Sequence, residues 1–259
     1  MKVLVINHAE VEALLPMNEC IDIMENAFIA LARGDGEQPL RTIFRPATVK
    51  GVMAMMPAYR GGDAPLFGLK AICVFPGNAA IGKDAHQGAV VLFDGTTGEL
   101  LAIVNASAIT AIRTAAVSAL ATKVLANESA STLAIIGAGV QARAHLSAIA
   151  CVRKLDQVRV TALHYDRAEQ FAEEMKSQVQ CRIEAVGSAE AAVRDANVIV
   201  TATTSREPVV RREWIAAGAH INAIGTFSPR ARELDTPRWL RRHCSSIVAS
   251  RRSMKREII

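Results

Sequence analysis

The chain has 259 residues, enough for one large or two modest domains with a packed core that needs no disulfide bonds. Apolar residues make up 51% and charged residues 21%, a balance that excludes disorder, collagen, coiled coils and small disulfide scaffolds. The net charge is +5, and the basic excess lies mainly near the C-terminus, where a solvated, locally basic surface is favoured over a nucleic-acid site.

Cysteine usage and hydropathy predict a cytoplasmic protein without a membrane partner. The five cysteines are scattered and include no Cys-x-x-Cys pair, which is typical of reduced thiols. The first residues become polar too soon for a signal peptide. No apolar run approaches the ~20 residues of a membrane span.

The first half of the chain is predicted to form a mixed α+β domain over residues 1–125. Asn7 is the expected N-cap of the first helix, and Gly34 the expected end of the second. Short β-rich runs separated by turn residues then predict a meander of strands. The expected elements are a strand at 2–6, helices at 8–15 and 17–33, strands at 52–56, 69–75, 89–93 and 101–104, and an Ala-rich helix at 108–126.

The second half, residues 126–259, alternates strands with helices. This alternation predicts an α/β doubly wound parallel sheet. The expected strands are 132–136, 158–163, 181–186, 198–202, 220–224 and 246–249, with helices at 140–152, 166–175 and 188–194 between them.

The strongest local motif is Gly137-Ala138-Gly139-Val140-Gln141-Ala142, which directly follows an apolar strand and opens a helix. In a G-x-G-x-x-A turn the first glycine permits the tight turn, the second admits a pyrophosphate, and the small third residue lets helix and strand pack closely. The helix N-terminus offers backbone N–H groups to phosphate. The motif therefore predicts a dinucleotide site.

The second strand of this unit bears on the choice between NAD and NADP. An NAD-preferring site has Asp or Glu at the end of this strand, ~20 residues after the glycines. Here the strand ends without a carboxylate, and Asp166 is expected to cap the next helix instead. His164 or Arg167 would then face a 2′-phosphate. NAD(P) is the expected cofactor, with NADP(H) favoured.

Three charged residues of the first half lie in apolar surroundings. Arg41 follows Pro39, Lys70 lies within an apolar strand, and Arg113 lies within the Ala-rich helix. A buried charge is costly unless it is paired, so these residues either face solvent at an edge or bind an anion such as a carboxylate. His86, in a predicted loop, is more often a satisfied loop histidine than a site residue.

The combination of these motifs resembles the ornithine cyclodeaminase/mu-crystallin family over essentially the whole chain. The most specific pair is Thr110-Ala111-Ile112-Arg113-Thr114-Ala115-Ala116 with Gly137-Ala138-Gly139-Val140-Gln141. Further landmarks are Pro39-Leu40-Arg41, Met56-Pro57-Ala58-Tyr59, Gly68-Leu69-Lys70, Pro76-Gly77-Asn78, Leu92-Phe93-Asp94, Gly218-Ala219-His220-Ile221-Asn222 and Arg232-Glu233-Leu234-Asp235.

The resemblance implies a homodimer in which a substrate-binding and dimerisation domain precedes a Rossmann domain that holds NAD(P). By position, Arg41 and Arg113 would orient the substrate carboxylate, and Lys70 would polarise or protonate the imine nitrogen. The residues carried over as cofactor contacts are His86, Thr114, Gly137, Ala138, Gly139, Val140, Gln141, Thr203 and Ile224.

Two departures from the family pattern indicate which reaction to expect. Phe227 takes the position of an Asp that serves ornithine cyclodeaminases as general base, and Ala54 replaces a family Glu. An apolar ring neither takes a proton nor binds an ammonium group. The expected activity is therefore NAD(P)H-dependent reduction of a small cyclic imino acid such as Δ1-pyrroline-2-carboxylate. The alternatives are ornithine cyclodeaminase and a non-catalytic, crystallin-like protein that binds NADPH and a small ligand.

The length also differs from that of related chains, which continue further and return to pack on the first domain. Either this chain is a truncated or frameshifted member of such a group, or it has lost the return segment. We therefore expect exposed apolar surface on the first domain, and reduced stability or activity.

Overall fold

The computed structural model describes residues 2–225 and 231–235. They form two compact units. One contains residues 2–16 and 22–110, and the other contains 17–21, 111–225 and 231–235. The domain boundary predicted from the sequence, at residues 125/126, stays a prediction and is distinct from the division into these two units.

The first unit is built on a mixed seven-stranded sheet. Its strands are β1 (Leu4–Ile6), β2 (Gly36–Glu37), β3 (Thr42–Phe44), β4 (Val52–Arg60), β5 (Leu66–Val74), β6 (His86–Asp94) and β7 (Leu100–Asn105), with the helices α1 (His8–Leu14) and α2 (Met17–Arg33) between β1 and β2. The order is β1-β7-β6-β5-β4-β2, and β3 pairs with β4. Strands β4 to β7 form the predicted antiparallel meander, and β1 adds in parallel to β7.

Local signals account for the helix ends of this unit. Asn7 forms a capping box with Glu10 at the start of α1. Gly34 ends α2 in the left-handed conformation that glycine adopts without strain. Both ends agree with the sequence predictions.

The two faces of this sheet differ in burial. One face carries the buried residues Ala54 and Ile72, which pack with Ala106. The strand register places a second apolar set on the opposite face, and each of these residues is at least partly exposed: Val5, Phe44, Met53, Met55, Tyr59, Phe67, Leu69 and Val91. We call this set the open face. The expectation that apolar surface is left exposed where a return segment would lie stays a prediction.

The second unit is an α/β domain with a five-stranded parallel sheet, as predicted. Its strands run in the order β10-β9-β8-β11-β12, so the chain starts in the middle and winds outwards in both directions. The elements from the end of the first sheet onwards are α3 (Ala106–Leu125), β8 (Thr132–Ile136), α4 (Val140–Val152), β9 (Gln157–Thr161), α5 (Tyr165–Met175), β10 (Arg182–Ala185), α6 (Ala189–Val193), β11 (Val198–Thr201) and β12 (His220–Ala223).

The core of this unit explains why its strands are continuously apolar. Parallel strands covered on both faces have no polar side to show. All four residues of β11 are buried, and Leu133 and Ile135 on β8 and Val158 and Val160 on β9 are fully buried. This core fixes the carboxyl ends of β8, β9, β11 and β12 at one edge of the sheet.

One sequence expectation is wrong, and another concerns residues outside the described ranges. The helix α5 begins at Tyr165 with His164 as its N-cap, so Asp166 lies in the first turn and is not the cap that we expected. A carboxylate in the first turn is still favourable because of the helix dipole. The strand expected at 246–249 lies outside the described residues.

Among the described residues, α3 alone is long and apolar enough to cross a membrane by length and composition. About 39% of its apolar window is buried inside the protein. Core helices of water-soluble proteins pass the same test, so this is weak evidence for a membrane span.

Candidate functional site

The glycine turn lies at the carboxyl edge of the parallel sheet. Gly137 follows β8 with a φ of +112°, and a Cβ atom there would lie 2.5 Å from the carbonyl oxygen of Ala202. Its N–H donates to the carbonyl oxygen of Thr161 at 2.8 Å. Glycine is therefore required for this turn, which is held between the ends of β9 and β11.

The start of α4 is open to a ligand. Gly139 is its N-cap in an extended conformation, and no side chain caps the helix. A Cβ atom on Gly139 would meet nothing within 4 Å, and the next residue, Val140, is 61% exposed. Uncapped N–H groups beside an unobstructed glycine fit the pyrophosphate of a dinucleotide.

The end of β9 carries no carboxylate, as predicted. The buried Thr161 is followed by Leu163, which is 94% exposed, and by the exposed His164. Arg167 lies on the first turn of α5 and is also exposed, with a long hydrogen bond of 3.3 Å to Gln170. Basic residues thus lie where the adenosine ribose of a dinucleotide is expected.

A buried carboxylate joins the ends of β11 and β12. Glu233 is 3% exposed and accepts hydrogen bonds from the Thr201 hydroxyl, from the N–H and hydroxyl of Thr203, and from the N–H of Gly225. Ile224 donates to the carbonyl oxygen of Thr201 at 3.0 Å. Thr203 and Ile224 were expected as cofactor contacts, and both follow strands at the edge that carries the glycine turn.

Sequence reasoning noted Glu233 only as part of a motif and gave it no role. The one signal in the sequence was that Glu233 lies in a short segment next to the apolar Leu234. Its partners are 8 to 32 residues away in the chain, so spacing alone does not reveal the contact.

A buried polar chain connects α4 to α3 and β12. His145 on α4 is fully buried, with Nδ1 2.7 Å from the carbonyl oxygen of Gln141 and Nε2 3.0 Å from the Ser118 hydroxyl. Because a carbonyl only accepts, Nδ1 carries the proton and Nε2 accepts from Ser118. Thr122 donates to the carbonyl oxygen of Ser118 and accepts from the Asn222 amide.

Burial determines the protonation state of His145. Desolvation disfavours the charged ring and lowers its pKa to about 4, although its bond to the Gln141 carbonyl opposes this. The ring is therefore neutral at neutral pH. The buried ring of His145 thus holds the backbone carbonyl of Gln141, which was expected as a cofactor contact.

Lys70 lies on an inner strand of the first unit. Its strand, β5, pairs with β4 on one side and β6 on the other, so the alternative that Lys70 is an edge residue is wrong. The residue is half-buried, and its Nζ donates to the Thr110 hydroxyl at 2.5 Å. Thr110 in turn donates to the carbonyl oxygen of Ala106 at 2.6 Å, so the ammonium group is held in one position.

His86 lies at the start of β6 rather than in the predicted loop. It is half-buried, pairs with Val74 of β5, and its carbonyl oxygen accepts a hydrogen bond from the Ser107 hydroxyl. The predicted strand began at residue 89, three residues too late, because Gly88 interrupts the apolar run.

The two arginines are both exposed. Arg41 directly precedes β3 in the first unit, and Arg113 lies on α3 in the second unit, next to the half-buried Thr114. Burial raises the pKa of the Cys20 thiol, and the positive charge of Arg113 partly offsets this effect. The convergence of Arg41, Lys70 and Arg113 on one substrate stays a prediction.

Comparison with known proteins gives relatives over most of the chain. Mouse (Mus musculus) ketimine reductase mu-crystallin is 39% identical over 198 residues, which are 76% of this chain and 62% of that protein. The chain thus spans less than two thirds of the length of this relative.

Solved structures agree with this result. The Δ1-pyrroline-2-carboxylate reductase of Thermococcus litoralis, in complex with NADH and L-proline, has a TM-score of 0.86 and 38% identity, and covers 90% of this chain and 72% of that one. An archaeal alanine dehydrogenase dimer with bound NAD has a TM-score of 0.83 and 33% identity, over 91% and 71% of the two chains.

A family profile matches residues 1–256. This match covers both the charged residues of the first unit and the glycine turn of the second, in the order in which the fold presents them. The chain therefore belongs to the ornithine cyclodeaminase/mu-crystallin family.

Proposed function

We propose that the protein is an NAD(P)H-dependent reductase of a small cyclic imino acid, with Δ1-pyrroline-2-carboxylate, which would give proline, as the representative substrate. The observation that carries this proposal is the half-buried, hydrogen-bonded Lys70 in a chain whose second unit has an open glycine turn. The similarity to a ketimine reductase and to a structure that holds NADH and L-proline supports it.

The proposed roles of the charged residues follow from their chemistry. Lys70 donates a proton to the imine nitrogen, since Thr110 leaves its ammonium group in a fixed position. Arg41 and Arg113 bind the substrate carboxylate, which a guanidinium group can contact through two parallel hydrogen bonds. The bound reduced nicotinamide would supply a hydride to the imine carbon.

The proposed cofactor contacts include the glycine turn. The pyrophosphate lies at the N-terminus of α4, and the 2′-phosphate of NADP(H) faces His164 or Arg167. The full set of contacts is His86, Thr114, Gly137, Ala138, Gly139, Val140, Gln141, Thr203 and Ile224.

We also propose that the protein is a homodimer and that the open face forms the contact. Phe44 is 59% and Phe67 48% exposed on this face, and large exposed apolar patches mark protein interfaces. A second copy could pack sheet against sheet over it. The similarity to an alanine dehydrogenase dimer supports the same assembly.

We also propose a cytoplasmic location. Among the described residues, Cys20, Cys73, Cys151 and Cys181 are free thiols, which supports the proposed cytoplasmic location. The proposed partners are a small imino or amino acid and a second copy of the chain, with neither nucleic acid nor membrane.

The activity is tested by following oxidation of NADH and NADPH at 340 nm with Δ1-pyrroline-2-carboxylate and the full chain. We expect turnover that depends on both reactants. A folded protein that binds cofactor but does not turn over this or any other cyclic imine would contradict the proposal. Release of ammonia from ornithine without added cofactor would show instead a cyclodeaminase.

A further inference from the structure

We propose that Glu233 is a positioning residue for the cofactor site. Its carboxylate holds the segments that follow β11 and β12 in the conformation that binds the dinucleotide. This inference rests on the proposed function, because it takes the carboxyl edge of the parallel sheet as the place where the cofactor binds.

The contacts of Glu233 use both carboxylate oxygens fully. Oε1 accepts from the N–H of Thr203 at 2.8 Å and from its hydroxyl at 2.7 Å. Oε2 accepts from the N–H of Gly225 at 2.7 Å and from the Thr201 hydroxyl at 2.8 Å. Each oxygen therefore binds one backbone N–H and one hydroxyl, and all four donors are neutral.

This pattern requires a carboxylate. The two hydroxyl groups can rotate to suit a new partner, but the two backbone N–H groups cannot. An amide in place of the carboxylate would point its NH₂ group at one of these N–H groups. One buried donor would then be left without an acceptor, which costs more than the loss of an ordinary hydrogen bond.

The segment that supplies Glu233 is itself anchored. The Glu233 carbonyl oxygen accepts from the N–H groups of Val209 and Val210, at 2.8 and 3.1 Å. Asp235 accepts from the N–H of Arg212 at 3.1 Å. The carboxylate is therefore presented from a fixed backbone, as positioning of other groups requires.

The residues that Glu233 holds adjoin the glycine turn. A Cβ atom on Gly225 would lie 2.2 Å from the carbonyl oxygen of Thr203, so these two segments touch. A Cβ atom on Gly137 would lie 2.5 Å from the carbonyl oxygen of Ala202, so the segment after β11 also touches the turn. A shift of Thr203 would therefore be transmitted to the glycine turn.

A role in stability alone does not account for this residue well. Burying a charged carboxylate is costly, and a buried ionic group is weak evidence for stabilisation. What the carboxylate provides is a common acceptor for two segments of the chain at the edge where the cofactor is expected.

The test compares Glu233→Gln with Glu184→Gln, a matched control on β10. Glu184 is a half-buried carboxylate of the same unit that contacts Gln157 and Arg182, away from the glycine turn. Two quantities are measured: amide hydrogen exchange without cofactor, and the Kd of NADPH from its fluorescence.

For Glu233→Gln we expect at least about tenfold faster exchange at the amides of Thr203 and Gly225, with β9 and β10 unchanged. We also expect about tenfold weaker NADPH binding at a temperature where the variant is folded. Glu184→Gln should change neither quantity.

The two proposals fail in different ways. If the wild-type protein binds NADPH and Glu233→Gln binds it equally well with unchanged exchange, Glu233 has no positioning role and the proposed function stands. If the folded wild-type protein binds neither NADH nor NADPH, the proposed function fails and the role of Glu233 fails with it.

A second variant keeps the test decisive if Glu233→Gln does not fold. Thr201→Val is nearly isosteric and removes one hydroxyl donor to Oε2, while both backbone hydrogen bonds remain. We expect about threefold weaker NADPH binding and faster exchange at Gly225. Unchanged binding and exchange in this variant would overturn the proposal.

Discussion

Lys70 shows how a single residue acquires a chemical role from its surroundings. An ammonium group on an inner strand is costly to bury, and the Thr110 hydroxyl compensates part of that cost with a hydrogen bond of 2.5 Å. A fixed cation that is partly shielded from water is suited to proton donation. The proposed proton donation therefore depends on the surroundings of this one residue.

Replacing Lys70 tests this role. We expect Lys70→Gln to lower kcat by about 10²–10³-fold, because the proton donor is lost, with a smaller effect on the Kd of NADPH. Steady-state kinetics and a fluorescence titration measure the two quantities. Lys50→Gln, an exposed lysine of the same unit, is the control and should retain full activity. Equal loss in both variants would rule out a specific role for Lys70.

Arg167 tests the cofactor preference at the same scale. We expect Arg167→Gln to weaken NADPH binding by about tenfold, since a charge-assisted hydrogen bond to the 2′-phosphate is lost, and to leave NADH binding within about twofold. Arg194→Gln serves as the control, because Arg194 is an exposed arginine that precedes β11 at the opposite edge of the sheet. A parallel loss of NADH and NADPH affinity would contradict 2′-phosphate recognition.

At the scale of elements, His145 links the helices α3 and α4 through Ser118. Its pKa of about 4 lies below the ordinary value of 6.5 because the ring is buried. The unfolded chain therefore binds more protons between these two values, so this contribution to stability is complete above pH 6.5 and is lost as the pH falls towards 4.

This linkage gives a quantitative prediction. Between pH 8 and pH 5, His145 should reduce the free energy of unfolding by about 2 kcal/mol. Urea unfolding at both pH values measures it. In His145→Leu the overall stability falls, but the drop between pH 8 and pH 5 should shrink by that amount. An unchanged drop would show that His145 does not cause it.

Elements with strong local signals could be predicted from the sequence, and those defined by distant pairing could not. The helices α2 and α4 begin and end where periodicity and glycine place them, at Met17–Arg33 and Val140–Val152. Strand β3 was missed because its three residues acquire strand structure only by pairing with β4. The inner position of Lys70 depends on pairing in the same way, as do the contacts of Glu233.

Some parts of the candidate site could be predicted more fully than others, for the same reason. The glycine turn is local, so its residues and its conformation followed from the motif. The charged residues of the first unit were named, but whether Lys70 lies inside the sheet or at its edge required the strand register. Ser118, the partner of His145 Nε2, lies on another helix, and no periodicity indicates it.

At the scale of the whole molecule, the open face predicts an assembly. We expect the protein to be a dimer of the 27.7 kDa chain, and Phe44→Lys to shift it towards monomer, because a charge would then be buried between two apolar sheets. Light scattering after size exclusion measures the mass. Leu163→Lys, at a more exposed apolar residue off this face, should leave the dimer intact. A monomeric wild-type protein would contradict the proposed interface.

In the proposed reaction this chain transfers a hydride from the cofactor to an imine carbon next to a carboxylate. Its most direct test uses NADPH deuterated at both C4 positions, with Δ1-pyrroline-2-carboxylate and the full chain, followed by mass spectrometry of the product. We predict proline that carries one deuterium at the carbon next to the carboxylate. Proline without deuterium, or no proline from a folded protein that binds cofactor, would contradict hydride transfer to the imine.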